Sequence, residues 1–151
     1  MDAGLPEINP ADLREAALRL LARREHSIAE LSNKLIRRDW PADQVESLLA
    51  DLAEAGLQSD QRYAESYARS RAEKYYGPVR IRAELAERGI DRSLIEQTLR
   101  ELEVDWFERA ATWFERRFGA GPADDYKEKT RRQQTLARRG FPHDLVRELV
   151  E

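Results

Sequence analysis

The sequence predicts an all-α protein: three tandem three-helix repeats of about fifty residues, forming an elongated, curved array. Three observations carry this prediction. A short pattern is written three times, as Leu35-Ile36-Arg37-Arg38-Asp39-Trp40, Leu85-Ala86-Glu87-Arg88-Gly89-Ile90 and Leu136-Ala137-Arg138-Arg139-Gly140-Phe141. Each copy is followed at a fixed distance by a further apolar residue, Val45, Ile95 or Val146. No stretch alternates polar and apolar residues with a period of two, so no sheet is expected.

The elements follow in order. Residues 1–9 are expected to be disordered. The first repeat, residues 10–57, opens with Asn9 as N-cap and Pro10 at the first helical position. Leu13, Ala16, Ala17, Leu20 and Leu21 then fall at helical spacing. Ser27-Ile28-Ala29-Glu30 is a capping box, and Ile28, Leu31 and Leu35 form the stripe behind it. The third helix begins near Pro41, carries Val45, Leu48, Leu49 and Leu52, and stops at Gly56. With position 41 as N-cap, Trp40 and Val45 occupy the N′ and N4 positions of a hydrophobic staple. The same holds for Ile90 with Ile95 and for Phe141 with Val146.

The second repeat, residues 58–104, starts at the Ser59-Asp60 cap and runs through Tyr63, Ala64, Tyr67 and Ala68. Gly77-Pro78 breaks the chain and starts the next helix, with Ile81 and Leu85 inside. Gly89 ends it; Asp91 caps the helix bearing Leu94, Ile95, Thr98, Leu99 and Leu102. Tyr63 and Tyr67 read as core, whereas Tyr75 and Tyr76 stand at a helix end and read as exposed. The third repeat, residues 105–151, draws its first helix from Trp106, Phe107, Ala110, Trp113, Phe114 and Phe118. After the loop signal Gly119-Ala120-Gly121-Pro122, a helix spans about 124–139. A last one runs from Pro142 to the end. The middle helix is poor in apolar residues, with Lys129 and Arg132 standing where the first repeat has Ile28 and Leu31. Large aromatics from the preceding helix are expected to compensate.

Composition narrows the function. The absence of cysteine removes disulfides and thiolate metal sites. No signal peptide opens the chain, and no segment approaches the roughly 20 apolar residues of a membrane helix. A soluble, cytoplasmic protein is expected, and with no heptad stripe, a monomer. His26 and His143 lie beside helix starts, outside any metal-ligand spacing, and read as surface or cap residues. No nucleophile–base set, phosphate loop or dinucleotide fingerprint is present, so neither catalysis nor a cofactor is expected.

Charge is striped along the chain. Between Trp40 and Gln61 lie Asp43, Glu46, Asp51, Glu54 and Asp60 with no basic residue. Between Lys127 and Arg139 lie Lys127, Lys129, Arg131, Arg132, Arg138 and Arg139 against Glu128 alone. Lys127 and Arg131 are like charges four apart, which weakens a helix, so this stretch is expected to meet an anion or an acidic surface. In the second repeat Arg69, Arg80 and Arg88 have carboxylates four residues away that account for them structurally, though they remain candidate contacts. Arg71, Lys74 and Arg82 lack such partners and are stronger candidates.

The segments Ser59-Asp60-Gln61-Arg62-Tyr63-Ala64-Glu65-Ser66-Tyr67-Ala68-Arg69-Ser70-Arg71 and Gly77-Pro78-Val79-Arg80-Ile81-Arg82-Ala83-Glu84-Leu85, followed by Gly89-Ile90, resemble the RecX family. The likeness extends over residues 13–151, with Asp39 standing where the later repeats have glycine. It implies a non-enzymatic regulator of the RecA recombinase that lies in the groove of the RecA–DNA filament. Such a regulator restrains filament growth and lowers ATPase, strand-exchange and LexA-coprotease activities, within homologous recombination, DNA repair and the SOS response. Single- or double-stranded DNA is an additional partner. A sequence-tolerant DNA-binding protein of helix-turn-helix-like units is the alternative, but the acidic third helix of the first repeat has the wrong sign for it.

Overall fold

Helix formation in this chain is decided at its ends. In the computed structural model, which describes residues 9–151, nine α-helices and no strand occur among the described residues. They are α1 Pro10–Arg23, α2 Ile28–Arg37, α3 Ala42–Glu54, α4 Asp60–Glu73, α5 Pro78–Glu87, α6 Arg92–Glu101, α7 Trp106–Phe118, α8 Tyr126–Arg139 and α9 His143–Leu149. The disorder expected for residues 1–9 lies outside the described residues, except at Asn9, whose Oδ1 accepts from Ala11 N–H at 2.9 Å to cap α1. The capping box forms: Ser27 Oγ accepts from Glu30 N–H at 3.1 Å and the Glu30 carboxylate accepts from Ser27 N–H at 3.3 Å.

The thrice-written pattern is one turn motif. At each copy two backbone bonds close the helix end: Asp39 N–H to Ile36 and Trp40 N–H to Leu35, Gly89 to Ala86 and Ile90 to Leu85, Gly140 to Ala137 and Phe141 to Leu136. These are the paired bonds of a Schellman motif, with the left-handed residue at Asp39 (φ 68°), Gly89 (φ 80°) or Gly140 (φ 102°). The next residue then serves as N′ of the following helix, whose N-cap is Pro41, Asp91 or Pro142. One apolar side chain thus closes two helix ends, and its partners Leu35, Leu85, Leu136, Val45, Ile95 and Val146 are all buried.

The chain divides into two compact units, one reaching Tyr63 and one from Ala64 onward. In the first, Leu13, Ala17, Leu20, Leu31, Leu35, Val45, Leu49 and Leu52 form the core, with Trp40 and Leu48 packed at its edge. Ile28, expected in the stripe, is 37% exposed, because its place at the first turn of α2 lies beside the cap. His26, expected at the surface, is buried. Its Nδ1–H donates to the Arg24 carbonyl at 3.0 Å and its Nε2 accepts from Lys34 Nζ at 2.8 Å. Burial, first, and then the positive charges of Arg24 and Lys34 lower its pKa. The α1–α2 loop is fastened to the start of α4 by Asp60 Oδ1, which accepts from Ile28 N–H at 2.9 Å, and by Arg62 Nε, which donates to Glu25 at 2.9 Å.

In the second unit α5 packs on α6, while α7, α8 and α9 pack on one another. Ala110, Leu136, Phe141, Val146 and Val150 form the buried cluster of the last three helices, flanked by Trp106, Trp113 and Phe114. The expected aromatic compensation is therefore present, although Phe107 faces outward at 39% exposure. The middle helix begins at Tyr126, with Asp125 as its N-cap accepting from Glu128 N–H at 2.8 Å.

Two glycines bring the second and third repeats together within this unit. Gly77 N–H donates to the Arg139 carbonyl at 2.8 Å, and Val79 N–H donates to the Gly140 carbonyl at 2.9 Å. The second bond satisfies an orphan donor in the first turn of α5, whose N-cap glycine has no side chain to offer. A Cβ on Gly77 would lie 2.3 Å from the Gly140 oxygen, and one on Gly140 would lie 2.3 Å from Arg80 Cβ. The two backbones touch where no side chain fits.

Candidate functional site: a guanidinium–tyrosine cluster

Helix α4 ends in the same turn chemistry as the repeat pattern but with different side chains. Tyr75 N–H donates to Ala72 and Tyr76 N–H to Arg71, with Tyr75 in the left-handed region at φ 65°. Tyr76 therefore stands where the Schellman motif usually carries an apolar residue, and Arg71 where its apolar partner would be. The pair meets as a cation–π contact, the Arg71 guanidinium carbon 3.8 Å from the ring centroid. Helix α5 adds Arg80 at 4.5 Å and the end of α8 adds Arg139 at 4.0 Å. Three arginines from three helices thus surround one tyrosine.

Each is held differently. Arg71 Nε and Nη2 donate to the two Glu84 carboxylate oxygens at 2.9 and 3.0 Å, a bidentate pair with both side chains mostly buried. Burial pulls the Arg71 pKa down, but the Glu84 hydrogen bonds and charge outweigh it and leave the pKa raised. Arg80 reaches the same carboxylate at 3.7 Å and is 42% exposed. Arg139 Nε donates to the Tyr75 carbonyl at 3.1 Å and its Nη2 to the Lys74 carbonyl, satisfying the end of α4. Its guanidinium also lies 4.7 Å from the Trp113 ring. Burial lowers the Arg139 pKa, and the charges of Arg80 and Arg71 add to that effect while Tyr76 opposes it.

Of the twelve cations singled out from sequence, the structure gathers Arg71, Arg80 and Arg139 here. Arg88 lies beside them through Glu84, its Nη1 donating to the Glu84 carbonyl at 3.0 Å and its guanidinium 4.6 Å from Tyr67. The others stand apart. Arg82 pairs with Glu96 of α6, Nε to Oε1 at 2.6 Å. Lys74 is exposed and lends its carbonyl to Arg139; Arg69 is exposed on α4, lining a cleft with Tyr75 and Arg109. On α8, Arg131 and Arg132 hold Glu128 at 2.9 and 3.2 Å, keeping its pKa at about 2, chiefly through the Arg131 hydrogen bond. Arg138 Nη2 donates to Thr135 at 3.3 Å, Lys127 is exposed, and Lys129 is half-buried.

Arg71 and Arg82, which have no carboxylate four residues away, are nevertheless paired, by carboxylates of the following helices α5 and α6. The helix-spacing rule sees only pairs within one helix, and these span two. The basic excess of α8 is also partly structural: Arg132 side-chain exposure is 13%, and Arg131 and Arg132 approach the Phe118 ring at 5.5 and 5.2 Å. Tyr76, Glu84 and Trp113 complete the cluster and were not singled out as site residues. Tyr76 offered a signal, an aromatic just before Gly77-Pro78, but its three partners are assembled only by packing. Among the described residues no carboxylate, histidine or cysteine cluster able to hold a metal is found, and no helix is long and apolar enough to cross a membrane.

Comparison with known proteins assigns each repeat. Family models described as the first, second and third three-helix domains of RecX match residues 14–52, 59–99 and 103–150. The Regulatory protein RecX of Halorhodospira halophila is 50% identical over 135 residues, covering 89% of this chain and 84% of that protein. That of Pseudomonas savastanoi pv. phaseolicola is 43% identical over 141 residues, covering 93% and 91%. The crystal structure of RecX from Lactobacillus salivarius matches with a TM-score of 0.78 at 26% identity, covering 93% of each chain.

Proposed function

The chain belongs to the RecX family, and we propose from that membership that it is a non-enzymatic regulator of RecA. It binds in the groove of the RecA–DNA filament in the cytoplasm, as a monomer, and inhibits filament growth, ATP hydrolysis, strand exchange and coprotease activity. The observation that carries this reading is the complete set of three RecX domains in tandem, matched to relatives named as regulatory proteins.

The surface chemistry supports a protein partner. Most of the second unit's arginines are already engaged with carboxylates, carbonyls or rings, so its cations are fixed in place. Fixed charge of mixed sign gives specificity for a patterned protein surface, whereas affinity for free nucleic acid needs a surplus of available cations. Arg69, Arg80, Lys127 and Lys129 are the proposed partner-facing residues. Arg71, Arg88, Arg131, Arg132 and Arg139 act behind them by holding the surface in shape. DNA contributes as a secondary partner once the filament is engaged.

The test is co-sedimentation with RecA filaments assembled on single-stranded DNA, set against binding to the same DNA alone. The expected result is retention by the filament at physiological salt and weak, steeply salt-dependent retention by bare DNA. Equal retention by both overturns the reading in favour of a DNA-binding protein.

A further inference from the structure

We propose that the Tyr76 cluster is a receptor for one acidic side chain of the partner protein, an inference that rests on the filament-binding reading above. The first support is convergence. Arg71, Arg80 and Arg139 come from three different helices and lie at 3.8, 4.5 and 4.0 Å from a single ring centroid. Among the described residues one carboxylate, Glu84, is paired with them, and it is shared by Arg71 and Arg80. Three guanidiniums around one carboxylate leave positive charge concentrated at a point.

The second support is that the guanidiniums are preorganised. Arg71 is held by Glu84 and Arg139 by the end of α4, both against the Tyr76 ring, while a guanidinium over a ring can still present N–H groups to a planar oxyanion. Arg71 shows the fit, holding Glu84 through both nitrogens. Arg80 is the open edge: at 42% exposure it sits 3.7 Å from Glu84, and Nη1 reaches the Arg138 carbonyl only at 3.4 Å. These contacts are long enough to be exchanged for a shorter one. Holding the donors in advance reduces the ordering cost of binding.

The third support separates a carboxylate from a phosphate chain. Duplex nucleic acid carries one charge per ~1.7 Å of its axis and is met by cations set out along a line. A convergent triad with a carboxylate already inside suits a single side-chain anion inserted end-on.

The experiment titrates the full-length, nitrogen-15-labelled chain with N-acetyl tetraglutamate amide and, separately, with a thymidine decamer, observing arginine Nε–Hε resonances. The peptide is expected to shift Arg80 saturably, and Arg80→Gln to weaken that binding about fivefold. Circular dichroism of the variant should be unchanged, because Arg80 Cβ, which fills the space beside Gly140, is retained. In parallel, Arg80→Gln should raise the concentration for half-maximal inhibition of RecA ATP hydrolysis about fivefold. An unmoved Arg80 resonance, a larger shift with the decamer, or equal inhibition by the variant overturns the receptor and leaves the filament reading standing. Failure of the wild-type chain to inhibit RecA overturns the filament reading and, with it, the partner assigned to this receptor.

Discussion

At the residue scale, function is layered on a turn whose chemistry is set by backbone angles. Asp39 occupies the left-handed position that glycine fills in the other two copies, at φ 68°. Asp39→Gly should therefore stabilise the first unit by about 0.5–1 kcal/mol, read as a shift in urea midpoint; a loss of stability would contradict the assignment. His26 is the residue the sequence hides. Nothing in its neighbours announces burial, which depends on Lys34 a turn and a half into α2 and on the amide of Gln58, donating to the His26 carbonyl at 3.2 Å. Its folded pKa is lowered, so the unfolded chain binds the proton first as pH falls. Stability is full above the ordinary histidine value of about 6.5 and declines as pH drops through the window below it. Hydrogen exchange at Leu31 and Leu35 should accelerate at pH 5.5 relative to pH 7.5, after correction for intrinsic rates. His26→Gln should flatten that difference.

At the scale of elements, the sequence was legible wherever one helix carried the whole signal. Caps, staples and turn glycines are local, and the capping box at Ser27, the Asp91 cap and the Gly77-Pro78 start all stand where the pattern puts them. Side-chain partners contributed by another helix were not legible. The basic character of α8 looked like a binding surface, yet Arg139 closes the end of α4 and Arg132 lies against Phe118. Arg139→Ala should cost the second unit about 1–2 kcal/mol, since it leaves carbonyls and a ring without their donor. Arg138→Ala, at an exposed position one residue earlier, should be within about 0.5 kcal/mol of neutral. Glu128 gives a second check on α8. Its pKa of about 2 means that the Arg131 and Arg132 pairs persist at mild acidity and are lost only as pH falls through that value. A nuclear magnetic resonance titration should place the midpoint there, and Arg131→Gln should move it up towards the ordinary glutamate value of 4.5.

At the scale of the whole molecule, three repeats in sequence correspond to two compact units in structure. The physical reason is the Gly77–Gly140 approach, which joins the second and third repeats through backbone hydrogen bonds and leaves no space for a Cβ. The two glycines are plain in the sequence as helix punctuation; their contact is invisible there because it joins distant segments. Gly77→Ala should destabilise the second unit, because the added Cβ forces the two backbones apart, and its α7–α9 amides should lose protection together with those of α5. The candidate surface was half legible in the same sense: its cations were found, but their convergence on Tyr76 was not. The proposed regulation of RecA is read out by titrating the chain into RecA hydrolysing ATP on single-stranded DNA. Hydrolysis should be suppressed at or below one chain per RecA protomer; undiminished hydrolysis at saturating protein would mean that the chain does not inhibit RecA.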